Sequence, residues 1–111
     1  MATISECRAA VDRIAAFLEQ NAETRGKVEL DRSLSIDIPD LETGFHGQLR
    51  GGRLTDIADG SNPDAKIKLI ANSDDFVALV DGDLNFPRAW ASGRVSVKAS
   101  VFDLIKLRSL F

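Results

Sequence analysis

His46 and Cys7 each occur once in this 111-residue chain, and there is no tyrosine. An imidazole serves as a metal ligand when Cys, His or a carboxylate recurs at ligand spacing. His46 stands on a strand-like stretch next to Gly47 without such neighbours. A Ser-His-Asp device would need an exposed nucleophile, and no Gly-x-Ser-x-Gly elbow is present. Cys7 lies within an apolar helical stripe and reads as core packing rather than a reactive thiol. The carboxylates are scattered singly, save Asp74-Asp75 at a helix start. Arg50-Gly51-Gly52-Arg53 is too short for a phosphate-binding loop and reads as a turn. The chain is therefore expected to be neither an enzyme nor a holder of a metal or cofactor.

The elements around these residues follow from apolar spacing. Ile4, Cys7, Val11, Ile14 and Leu18 form one stripe of an amphipathic helix, opened by a Thr3/Glu6 capping box. From Val28 the period becomes two: Val28, Leu30, Leu34, Ile36 and Ile38 alternate with polar residues. This predicts one strand with a wet face, or two short strands broken near Asp31-Arg32. Arg32, on the apolar parity, is read as marking the break and pointing to solvent, with contact to a ligand headgroup left open. "FHGQLRGGRLTDI" reads as a hairpin with Gly51-Gly52 as its loop. "AKIKLIA" places Ala65, Ile67, Leu69 and Ala71 on one face, and the short connections favour antiparallel neighbours.

Ser73 is expected to cap a short helix with Phe76, Val77, Leu79 and Val80 on its apolar face and Gly82 as its stop. "NFPRAWASG" predicts another, with Pro87 in its first turn and Gly93 ending it. Val95 and Val97 point inward from a last strand, and Ser100 and Asp103 open a terminal helix. The expected class is α+β, with helices on one face of a mostly antiparallel sheet in a single domain spanning residues 1–111.

The net charge of −3 argues against nucleic acid as a partner. Charge is uneven: residues 1–85 carry −7, whereas residues 86–111 set Arg88, Arg94, Lys98, Lys106 and Arg108 against Asp103 alone. This basic end is either an ordinary solvated face or a site for anionic headgroups, in transient contact with an anionic membrane surface. No apolar run approaches the ~18 residues of a membrane span. The first twenty residues do not read as a signal peptide, and with one cysteine a reducing cytoplasm is the expected location.

Seven of the eleven residues in 101–111 are apolar, more than one packing face needs. The surplus has three outlets: a better-covered core, an oligomer interface, or a cavity for an apolar ligand. The sequence leaves the oligomeric state undetermined.

The last third resembles the sterol carrier protein 2 family in "PDAKIKLIANSDDFVALVDGDLNFPRAWASGRVSVKASVFDLIKLRSLF". The residues that carry the likeness are Asp64, Asp75, Phe76, Leu79, Gly82, Leu84, Ala89, Gly93, Val95, Val97, Leu104, Leu107, Leu110 and Phe111. Members often have glycine where Ala99 stands, and the peroxisomal "SKL" address is absent, as suits a bacterial stand-alone protein. The resemblance implies a five-stranded sheet covered by helices, with an apolar tunnel for a fatty acid, fatty acyl-CoA, sterol or isoprenoid. The lining residues it implies here are Ile67, Leu69, Phe76, Val80, Phe86, Trp90, Val95, Phe102 and Ile105. The alternative it implies is an accessory domain docked on an enzyme through the terminal helix.

Overall fold

The computed structural model describes residues 1–21 and 30–110, and side chains as far as Leu107. The chain runs α1 (Ile4–Gln20), β1 (Arg32–Ile38), a 3-10 turn (Pro39–Leu41), β2 (Thr43–Arg50) and β3 (Arg53–Asp59). It continues as β4 (Ile67–Ala71), α2 (Ser73–Asp81), α3 (Phe86–Ala91), β5 (Val95–Lys98) and α4 (Val101–Leu110). The five strands form one sheet in the order β3-β2-β1-β4-β5, with the helices on one face. Among the described residues no helix is long and apolar enough to cross a membrane.

Local signals fix several elements. The Thr3 hydroxyl accepts from the Glu6 amide and the Glu6 carboxylate from the Thr3 amide, which closes the capping box. Cys7, Val11 and Leu18 are buried, as the stripe predicts, but Ile4 is exposed and Ala10 takes a buried place instead. α1 lies against α2 and β3. Gly51 and Gly52, with φ of 56° and 78°, make the tight turn between β2 and β3, a backbone region that side chains disfavour. Gly82, at φ 83°, ends α2.

Four expectations are corrected. β4 pairs parallel with β1, Leu34 opposite Ile67 and Ile36 opposite Leu69, so the sheet is mixed. The other three pairings are antiparallel. Shortness of the β3–β4 connection does not force a hairpin. Residues 60–66, extended, reach ~23 Å, more than the ~14 Å across three strand spacings. This segment crosses the face opposite the helices, where the Asn62 amide donates to Ser35 Oγ at 3.0 Å.

Second, Asn72 rather than Ser73 is the N-cap of α2, and its side chain makes no cap bond. Ser73 is buried, and its amide and hydroxyl donate to the two Asp40 oxygens at 2.8 and 2.6 Å. The capping carboxylate comes from the 3-10 turn, 33 residues away. Third, β1 begins at Arg32, which is exposed as expected, but its guanidinium is ion-paired with Asp103 instead of free. The part of the predicted strand at Val28 and Glu29 lies outside the described residues. Fourth, Ala65 lies outside the strand, since β4 begins at Ile67.

Candidate functional site

The helix-covered face of the sheet is set by one parity in β1, β2, β4 and β5, and a register shift against β2 breaks that parity in β3. Ile36, Ile38, Phe45, Leu49, Ile67, Ala71 and Val95 are fully buried there. One row behaves differently. Ile36 is paired with Leu69, and Leu69 with Val97. Ile36 is buried, but Leu69 and Val97, on the same face, are only half-buried. Leu34 on β1 is half-buried as well. Val77 and Val80 of α2, Leu84, Phe86 of α3 and Leu107 of α4 are likewise packed on the core while remaining partly open.

Of the nine residues expected to line a tunnel, Ile67, Phe76 and Val95 belong to the buried core, and Leu69, Val80 and Phe86 are half-buried against it. These six come together. Trp90 is 44% exposed, with its ring centroid 5.6 Å from that of Phe86. Phe102 and Ile105 are 78% and 60% exposed and lie on the outer side of α4. Leu34, Val77, Leu84 and Leu107 are also half-buried against the core and were not among the nine. The parity of β1 and the helical spacing from Val80 marked two of them.

The ends of the site carry ion pairs. Arg32 Nε lies 3.2 Å from Asp103 Oδ2, a carboxylate whose side chain is 6% exposed. Asp103 is held there because Ser100 caps α4, its hydroxyl accepting from the Asp103 amide at 3.2 Å. Arg94 donates to Asp75 at 2.6 Å, which neutralises one charge of the basic end. Arg108 lies beyond the described side chains.

The clefts among the described residues include two on the surface. The larger, about 630 Å³, is lined by Asp31, Arg32, Ser33, Gln48, Arg50, Lys66, Ser100 and Asp103. The other, about 350 Å³, lies around Asp75, Arg94, Ile70 and Ser96. None of the nine expected lining residues borders either.

The reactive residue types are spent on structure. His46 Nδ1 lies 2.7 Å from the Gly60 carbonyl, which makes Nδ1–H the donor and ties β2 to the crossing segment. Burial, and then the Asp40 carboxylate, push the Cys7 thiol up and disfavour the reactive thiolate. Among the described residues no cluster of three His, Cys, Asp or Glu side chains could hold a metal.

The sheet order and helix arrangement recur in solved structures. A crystal structure of sterol carrier protein 2 is 14% identical, with a TM-score of 0.70, over 97% of this chain and 88% of that one. A palmitated SCP2L2 from Aedes aegypti is 14% identical, with a TM-score of 0.67, over 97% and 92%. The sec-alkylsulfatase Pisa1 from Pseudomonas sp. is 23% identical, with a TM-score of 0.67, over 88% of this chain. This chain spans only 15% of that sulfatase. No curated protein sequence matches the chain. The family model of the SCP-2 sterol transfer family matches residues 12–111, and the chain therefore belongs to that family.

Proposed function

We propose that the protein is a non-catalytic lipid carrier that holds a fatty acid, fatty acyl-CoA, sterol or isoprenoid between β4–β5 and the helices α2, α3 and α4. One observation carries this reading: Leu69 and Val97 lie on the helix-covered face of the sheet yet remain half-buried. A core that had no further occupant would close over such residues, because each Å² of apolar area removed from water gains ~25 cal/mol. An apolar chain or ring seated along Leu34, Leu69 and Val97, under Val80 and Phe86, would complete the burial. Ile67, Phe76 and Val95 would form the floor of the site, and Trp90 its border. Phe102 and Ile105 would line it only after α4 turns about its axis. The palmitated Aedes aegypti relative supports a fatty acyl chain as one occupant. A reducing cytoplasm remains the place we assign to it.

Displacement of a fluorescent fatty acid tests the site. Leu69→Phe should fill part of it and weaken fatty-acid binding while leaving the fold as stable as before. Unchanged binding in a folded variant would move the ligand elsewhere.

A second reading is favoured by the sulfatase. Two alkylsulfatase chains align at 23% and 26% identity through segments that are only 15% and 13% of their length. On this reading the chain is an accessory lipid-binding domain that serves an enzyme and docks on it through α4.

A further inference from the structure

Five cations crowd one end of the sheet. Arg32, Arg50 and Lys66 line the 630 Å³ cleft, and Lys68 stands directly opposite Lys98 across the β4–β5 pair. Like charges in such cross-strand positions disfavour the sheet unless something negative meets them. Only Arg32 is matched, by Asp103. The other carboxylate of the cleft, Asp31, accepts from the Gly51 amide at 3.4 Å. Among the described residues, none of the seven ion pairs uses Arg50, Lys66, Lys68 or Lys98. In a protein of net charge −3 this end is a local reversal of sign.

An apolar edge adjoins it. Ser100 lines the cleft, and the next two residues, Val101 and Phe102, are 70% and 78% exposed. On a helix of 3.6 residues per turn, Val101, Phe102 and Ile105 fall within an arc of ~100°, with Asp103 on the opposite side. The Arg32–Asp103 pair therefore fixes which side of α4 faces outward.

From this juxtaposition we infer that the sheet end formed by Arg50, Lys66, Lys68 and Lys98, with Val101 and Phe102, docks on an anionic phospholipid bilayer. The lysines and Arg50 meet headgroup phosphates and carboxylates, and the two apolar side chains enter the boundary between headgroup and acyl chain. A bilayer fits better than a second copy of the chain. Three apolar side chains offer at most ~450 Å², against the ~800 Å² per partner of a stable interface. Two copies would also bring their cations together. The surface differs from the basic end read from sequence: it takes in Arg50, Lys66 and Lys68 from earlier strands and leaves out Arg94, which Asp75 neutralises. It is independent of what the interior holds.

Sedimentation of the full chain with extruded phosphatidylcholine vesicles, with and without phosphatidylserine, tests the inference. Binding should require phosphatidylserine and fall as salt rises. Lys66→Gln and Lys98→Gln should each weaken it about fivefold. Phe102→Ser should weaken it about tenfold. Arg88→Gln, on α3, should leave it unchanged. All four positions are exposed, so the variants should fold; uptake of oleate by the Lys66, Lys98 and Arg88 variants, and an unchanged unfolding midpoint for Phe102→Ser, check that the interior is intact. Equal sedimentation with neutral vesicles would overturn the inference. So would full binding by the lysine or Phe102 variants, or a dimer in solution that Phe102→Ser splits. Absence of oleate uptake by the wild type, with vesicle binding present, would count against the carrier reading alone.

Discussion

Arg32 and Asp103 join the first residue of β1 to the first turn of α4, 71 positions apart, through an Nε to Oδ2 contact of 3.2 Å. The carboxylate is nearly buried and the guanidinium partly open to water, with side-chain exposures of 6% and 42%. Removing the arginine strands a buried negative charge, whereas removing both groups does not. Arg32→Gln should therefore destabilise the protein by about 1–3 kcal/mol, moderated by the solvent at Arg32. Arg32→Gln with Asp103→Asn should recover part of that loss. Denaturant unfolding of the four-member cycle measures the coupling, and a coupling of zero would mean that the pair does not hold α4.

A second long-range contact makes a pH prediction. The Ser73 hydroxyl, and then its amide, donate to Asp40 and hold its carboxyl below the usual carboxylate range. A carboxyl whose pKa is lower folded than unfolded stabilises the native state fully above the ordinary carboxylate value of ~4. That stability is lost as pH falls below it, through the folded pKa. The wild type should be more stable than Asp40→Asn at neutral pH, and the two unfolding curves should converge in acid. A gap that stays constant into acid would contradict the assignment.

Gly44 is required for want of space. A Cβ there would meet the Ile36 carbonyl oxygen and Ser61 Oγ at once, and the first is backbone that cannot step aside. Gly44→Ala should lower stability by about 1–3 kcal/mol, as overpacking does. Thermal unfolding checks it, and an unchanged midpoint would show that both the Ile36 carbonyl and Ser61 give way.

Trp90 reports on the proposed pocket. It is the only tryptophan, lies beside Phe86 with the rings tilted at 58° and is 44% exposed. Oleate seated under Phe86 should dry the indole and shift its emission to the blue. Trp90→Ala should weaken oleate binding while costing less stability than the ~3–5 kcal/mol of a fully buried aromatic. Saturating oleate with no spectral change would place Trp90 away from the ligand.

What the sequence revealed about this fold was local. The α1 capping box, the Gly51-Gly52 turn and the Gly82 stop each depend on residues within a few positions, and all are present. The parallel pairing of β4, the cap supplied to Ser73 by Asp40 and the partner of Arg32 depend on residues distant in the chain. No periodicity encodes these. For the candidate site, alternation placed Ile67 and Leu69 on the covered face, and helical spacing did the same for Phe76 and Val80. In α4 apolar residues occupy most of the circumference, so spacing does not choose the arc that turns inward. The inward Asp103 makes that choice, and it leaves Phe102 and Ile105 outside.

A lipid seated beside the half-buried Leu69 and Val97 should travel with the folded protein. Native mass spectrometry of the folded protein, followed by organic extraction and identification of what is released, tests it most directly. A fraction of molecules should be heavier by one lipid, or the apoprotein should take up one fatty acid, sterol or acyl-CoA at micromolar concentration. Apoprotein alone, with no uptake of any of these, would contradict it.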